Sequence, residues 1–297
     1  MDESAVSIYN SKGSELQRME HGYASPVLRT SGGRMLVYDQ GGSRFKVGSE
    51  SKELFSGESV SSIHAADVAA NGTFAIATSS TKSAAEVKVY NEYGNEIFTW
   101  QSTSMVVSLA LSPDGRRAAV CSLSAENGAV VTSLSLLDLQ NPKLVFKEDF
   151  PEEFGYVAMF GPSSILLITD QSVKSVGDSG RVREEFDFEG RQIQRYAAGG
   201  ENLVLVLGGS RYMRSSQIVV LDGSCREQGR VDAESAVGEL YAFGDGFCYL
   251  NEGAVYRYDL LGTPLETINV PGALHILPLG QDLYIATYEQ LQRQIIR

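Results

Sequence analysis

Glycine-bearing turns recur along this chain at a nearly fixed interval, each between two short apolar runs, and that recurrence restricts the fold more than any other feature. The clearest copy is Val107–Val120, VSLALSPDGRRAAV, where Ser112-Pro113-Asp114-Gly115 separates two strand-length apolar runs. Pro113 presets φ for the second turn position, Asp114 can bond its own backbone, and Gly115 tolerates positive φ. Equivalents stand at Gly32-Gly33, Asn71-Gly72, Gly161-Pro162, Gly199-Gly200, Gly244-Asp245-Gly246 and Gly280-Gln281. Successive members are about 36 to 48 residues apart, the interval of a four-stranded propeller blade.

A second series is interleaved with the first. An apolar strand ends in Asn or Asp, then comes a turn, then another strand: VKVYNEYGNEIFTW from Val87, LSLLDLQNPKLVF from Leu134, IVVLDGSCREQGRV from Ile218 and VYRYDLLGTPLETI from Val255. Two turn series with one period imply four strands per repeat. Helical periodicity is nearly absent, and tracts of Val, Ile, Tyr and Ser alternate with Gly, Asn and Asp, which predicts an all-β chain. The first two strands of each repeat are apolar at nearly every position, as strands packed on both faces require.

The count predicts a single domain, a seven-bladed β-propeller of four-stranded antiparallel blades. Six repeats span approximately 22–60, 61–103, 104–153, 154–190, 191–236 and 237–272. The seventh joins 273–297 to 1–21, because Ala5–His21 carries the outer-strand pattern, so N- and C-terminal strands would close the ring in one blade and leave no open edge. The seam is open to two divisions. Gln290–Arg297 is either a third strand or a tail.

With a net charge of -12 and a pI near 4.8, the surface repels phosphate backbones, so nucleic acid is not an expected partner. No polybasic stretch addresses an anionic membrane, and no apolar run approaches the roughly 18–20 residues that span a bilayer. Cys121, Cys225 and Cys248 lack metal spacing, and Cys121 and Cys248 lie in apolar runs as buried free thiols do; one disulfide stays open as an alternative. The acidic start Met1-Asp2-Glu3-Ser4 leads straight into a strand, without the charged and apolar regions of a signal peptide. The chain as given is expected to be soluble and a monomer, with no cofactor.

VSLALSPDGRRAAV and VKVYNEYGNEIFTW resemble repeats of WD40-like and PQQ-like propellers. The order MLVYDQGG, IHAADVAANGTFAIAT, VKVYNEYGNEI, VSLALSPDGRRAAVCSL, VVLDG and VYRYDLLG resembles, over essentially the full chain, an uncharacterised family of bacterial seven-bladed propellers. That resemblance implies an extracytoplasmic domain, anchored in a membrane through an N-terminal segment that this sequence does not include. It brings no activity and no catalytic residues.

Sites in propellers collect on the face shared by the second-to-third-strand loops and the blade-to-blade connections, or at the channel mouth. Three such loops read as long: Ser79–Ala85, Leu123–Gly128 and Gly208–Ser215. The last holds Arg211, Tyr212 and Arg214, which could grip a carboxylate or a sugar ring, or could pair with acids on the same rim. The acidic connection Glu148–Phe154 carries Phe150 and Phe154 as partner-contact candidates, and without a D-x-D-x-D-G loop it reads as a solvated rim rather than a calcium site. On first strands, His64, Asp67, Arg195, Tyr241 and His275 are candidates to line the channel. No metal is assigned, since hydrogen-bonded histidines explain His64 and His275 as well as ligation does.

A tryptophan-rich quinone-docking pattern does not fit one Trp, the spacing of a sialidase Asp-box fails at Ser112–Gly115, and no nucleophile elbow or P-loop is present. The expected function is a non-enzymatic binding or scaffold propeller docking a protein or glycan on one face. The alternatives are a hydrolase or lyase with a site assembled across blades, and a small-ligand sensor.

Overall fold

The computed structural model describes residues 1, 4–10, 12–209, 216–233, 237–279, 282–288 and 290–295. These residues form strands, turns and loops, with no helix among them. The chain divides into two compact units, one made of Met1–Phe160, Ser164–Asp170 and Val176–Val182, the other of Gly161–Ser163, Gln171–Ser175 and Arg183–Arg297.

The first unit opens with a two-stranded hairpin, β1 (Ala5–Tyr9) and β2 (Glu15–Glu20). Three antiparallel four-stranded sheets follow, each pairing its strands in chain order. They are β3 (Pro26–Ser31), β4 (Arg34–Asp39), β5 (Arg44–Ser49) and β6 (Glu53–Glu58); β7 (Ile63–Val68), β8 (Phe74–Ser79), β9 (Ala85–Tyr90) and β10 (Glu96–Ser102); and β11 (Met105–Leu111), β12 (Arg117–Glu126), β13 (Ala129–Asp138) and β14 (Lys143–Pro151). A fourth such sheet contains β15 (Gly155–Phe160), β16 (Ile165–Thr169), β17 (Ser172–Val176) and β18 (Val182–Asp187), and along it the chain passes from the first unit to the second.

The second unit has two further four-stranded sheets and a three-stranded one. The former are β19 (Gln192–Gly199), β20 (Asn202–Gly208), β21 (Ser216–Leu221) and β22 (Glu227–Ala233), and β23 (Leu240–Phe243), β24 (Gly246–Asn251), β25 (Ala254–Asp259) and β26 (Pro264–Asn269). The last is β27 (His275–Leu279), β28 (Asp282–Ala286) and β29 (Leu291–Ile295). Leu291–Ile295 is therefore a third strand beside β28. The hairpin β1–β2 stands as a sheet of its own among the described residues.

Each unit is held by cores between successive sheets. Leu36, Tyr38, Phe45, Ile63 and Phe74 fill one, Val87, Val106, Leu109 and Val120 the next, and Leu134, Leu136, Ile165 and Leu167 a third. In the second unit Val204, Ile218 and Phe247 form one core, and Leu250, Ile276 and Leu283 another. Burying one such side chain stabilises by about 1.5–3 kcal/mol. First strands adjoin first strands, β3 with β7, β7 with β11 and β11 with β15, and in the second unit β19 with β23.

The two turn series do different work. In the second series one side-chain oxygen accepts two backbone amides across the turn: Asn91 Oδ1 from Tyr93 and Asn95, Asp222 Oδ1 from Ser224 and Arg226, and Asp259 Oδ1 from Leu261 and Thr263. Asn10 Oδ1 does the same for Lys12 and Ser14 in the β1–β2 turn, and a register shift at Ile8/Tyr9 matches those beside the equivalent turns. β1–β2 thus shares its turn chemistry with the third-and-fourth-strand hairpins of the four-stranded sheets.

The first series brings turns against turns. Gly115 has φ +68, and a Cβ there would lie 2.4 Å from Asn71 Oδ1, whose amide nitrogen donates to the Asp114 carbonyl at 2.9 Å. A Cβ on Gly199 would lie 1.9 Å from the Ala242 carbonyl oxygen. Positive φ favours glycine at 115, and the close approach of a neighbouring backbone requires it at 199.

One expectation changes. Leu123–Gly128 is a projecting hairpin, not a loop: β12 and β13 run ten residues each and meet at Asn127-Gly128, with φ +51 and +83. The mirror-image turn of such an Asn-Gly pair matches strand twist. All three cysteines are free and buried, which disposes of the disulfide.

Candidate functional site

The first unit presents an aromatic pair at the start of β15. β14 ends at Pro151, and the chain turns at Glu152, which has φ +63 and donates its amide to the Val130 carbonyl. Thr132 Oγ1 then donates to the Glu153 carbonyl and accepts the Gly155 amide, both at 2.7 Å. Gly155 fits because a Cβ would lie 2.6 Å from Thr132 Cγ2. Asp170 Oδ1 accepts the Phe154 amide at 2.8 Å, and Asp170 returns its own amide to the Phe154 carbonyl. The backbone of Phe154 is thus clamped on both sides. Its ring is 42% exposed and meets the 45% exposed Tyr156 at 5.2 Å between centroids. Glu152 is exposed on this connection, Asp170 is exposed just after β16, and Glu126 is exposed at the tip of the β12–β13 hairpin.

Phe150, expected beside Phe154 as a contact residue, is a correction. It is 7% exposed and belongs to the core with Leu134 and Ile165. It pairs with Thr132 in the sheet, and the turn at Glu152 lies between it and Phe154, so the two do not share a face. Of the acids here, Asp149 is engaged by Ser133 Oγ at 2.5 Å and by Lys147. Although partial burial opposes it, those bonds hold its carboxyl below the usual range. Among the described residues no three His, Cys, Asp or Glu converge as metal ligands would.

The channel candidates of the first unit act as ties. Asp67 Oδ2 accepts the Leu111 amide at 2.7 Å, linking β7 to β11, and burial raises its carboxyl above the ordinary range. His64 Nε2 meets Ser79 Oγ at 2.8 Å, and its carbonyl accepts Gln40 Nε2. Ser108 Oγ likewise accepts the Ala158 amide of β15. The side chains of Asp67 and Ser108 thus stitch one sheet to the next, while that of His64 bonds within its own sheet.

In the second unit, Arg195 and Tyr241 come together. With Gln194, Tyr196, Glu239 and Leu240 they line an open depression of about 460 Å³ beside β19 and β23. Arg195 Nε donates to the Val237 carbonyl at 3.0 Å. Glu239 Oε2 accepts the Ile276 amide at 2.9 Å and faces the Tyr241 hydroxyl at 3.5 Å, while Oε1 meets His275 Nδ1. Burial, with Glu239 beside it, pushes the Tyr241 phenol up to about 12. His275 therefore adjoins the depression through Glu239. Arg211, Tyr212 and Arg214 lie outside the described residues.

Tyr156, Tyr196 and Glu239 were missed from sequence. Tyr156 stands two residues after Phe154, the period that puts both on one strand face, and that signal was available. Glu239 lies just outside β23, where strand patterning gives no direction.

A model of a family of unknown function, DUF5711, matches residues 1–273. The chain belongs to that family. Comparison with curated proteins finds no match. Solved structures similar to this DUF5711 member include BamB from Moraxella catarrhalis, at 11% identity, TM-score 0.61, over 98% of this chain and 90% of that one. The WD40 domain of Neurospora crassa Pan2 matches at 13% identity, TM-score 0.58, over 91% and 87%. Kuenenia stuttgartiensis hydrazine synthase matches at 13% identity, TM-score 0.62, over 93% and 97%. At such identities the likeness shows the fold alone, a β-propeller.

Proposed function

We propose that this DUF5711 domain is a binding or scaffold propeller that docks a protein or glycan partner at the start of β15. The carrying observation is the half-exposed pair Phe154 and Tyr156, held on a clamped backbone and rimmed by Glu152 and Asp170. Aromatic side chains ordered in advance contribute contact area at low entropic cost, and an acidic rim steers partners by charge. The proposal includes a closed seven-bladed ring whose last blade combines N- and C-terminal strands. The turn chemistry that β1–β2 shares with the third-and-fourth-strand hairpins supports it; joined to β27–β29 the hairpin would give a last blade of five strands, one more than in each of the six four-stranded sheets. It also includes an extracytoplasmic location with a membrane anchor in the parent protein, which rests on the resemblance described above.

The test is retention of a partner from cell-envelope extract by the purified domain. Phe154→Ser/Tyr156→Ser should lose that partner while melting at the wild-type temperature. Equal retention by the double variant contradicts the assignment.

A further inference from the structure

We propose that the depression beside β19 and β23 binds a hexuronic acid, a pyranose ring carrying a carboxylate. The inference uses residues other than those of the docking surface and does not depend on it.

Several polar groups around the depression are already engaged by the protein itself. Glu239 uses Oε1 on His275 and Oε2 on the Ile276 amide and the Tyr241 hydroxyl, so its carboxylate serves to hold β27 beside the depression. Arg195 spends only Nε, on the Val237 carbonyl. That bond fixes the plane of the guanidinium and leaves both terminal nitrogens, in a chain whose acids outnumber its bases 37 to 25. No carboxylate among the described residues forms an ion pair with Arg195. A pinned guanidinium with two parallel donors matches a carboxylate in bidentate geometry.

Beside it the lining changes character. Tyr196 is 41% exposed and offers a ring face and a hydroxyl, Gln194 an amide nitrogen that can donate while its Oε1 accepts from Ser216 Oγ, and Tyr241 a phenol whose oxygen can still accept. Aromatic faces take the C–H side of a pyranose, while hydroxyl and amide groups bond its ring of hydroxyls. The volume, about 460 Å³, falls in the range of roughly 300–1,000 Å³ typical of small-molecule sites. One anion-reading fork, aromatic faces and several neutral hydrogen-bonding groups together describe an acid sugar.

The test is saturation-transfer NMR and calorimetry on the whole chain with glucuronate, glucose and acetate. Glucuronate should bind with a dissociation constant on the order of 1 mM, and glucose and acetate each at least about tenfold more weakly. Arg195→Gln should weaken glucuronate about tenfold and abolish its preference over glucose. Arg195→Lys, which keeps the charge without the fork, should fall between. Tyr196→Ala, at an exposed position, should weaken both sugars without lowering the melting temperature. Phe154→Ser/Tyr156→Ser should leave glucuronate binding unchanged, which separates this site from the docking surface. Equal binding of glucose and glucuronate, wild-type affinity in Arg195→Gln, or no transfer from glucuronate at about 20 mM overturns the proposal.

Discussion

Gly115 shows how a turn residue can look functional and be structural. Its φ of +68 strains any L side chain, with the Asn71 amide close by, and the equivalent Gly199 abuts a carbonyl instead of a side chain. The geometry recurs while the chemistry differs, so what is kept along the chain is space. Gly115→Val should lower stability by about 1–3 kcal/mol from backbone strain alone, seen as a lower melting temperature. Asp67 is a contrasting case. Burial raises its carboxyl, so the folded state holds that proton more tightly than the unfolded chain does. Stability is therefore lost as pH rises from the ordinary carboxylate range through the raised value, and is regained on acidification. Asp67→Asn keeps an acceptor for the Leu111 amide without the buried charge, and should melt at or above wild type at pH 7, the gap closing below about pH 4. Asp67→Ala strands that amide and should cost about 1–3 kcal/mol. Thermal melts across pH check both.

At the scale of elements, the strands and turns were legible because each carries its own local chemistry. Asn and Asp at the ends of third strands announced Asx turns, and the apolar runs from Phe74, Ala118 and Leu203 announced strands buried on both faces. The β12–β13 extension was not legible as strand, since Ser124, Glu126 and Asn127 are polar and the apolar partners that extend it, Val131 opposite Ser124 and Ala129 opposite Glu126, lie across the turn. Replacing Asn127 and Gly128 with Ala, where both need positive φ, should fray this hairpin by about 1–2 kcal/mol per residue. Hydrogen exchange should then quicken in the amides of 124–130 and stay unchanged in β15. The candidate sites were read only in part for a related reason. Phe150 and Phe154 are four residues apart, which in an unbroken strand is one face, but the turn at Glu152 resets the register. His64 and Asp67 were read as channel groups, yet what decides their role is a partner on another strand, Ser79 and Leu111, that local pattern cannot identify.

The molecule as a whole divides into parts that repeat and parts that do not. Turns, Asx oxygens and first-strand ties repeat and build the sheets. Phe154, Tyr156 and the lining of the second unit's depression have no counterparts in other repeats, and the account places recognition there. A surface with net charge of -12 should make docking of a basic partner weaken as salt rises, because exposed charges are screened within about 10 Å at 0.1 M ionic strength. The most direct measurement is partner retention per folded molecule, taken side by side for wild type, Gly115→Val and Phe154→Ser/Tyr156→Ser. The account predicts full retention by the folded fraction of Gly115→Val despite its lower melting temperature, and loss of retention by the aromatic double variant at an unchanged melting temperature. Loss of retention in folded Gly115→Val, with the double variant still binding, would contradict it.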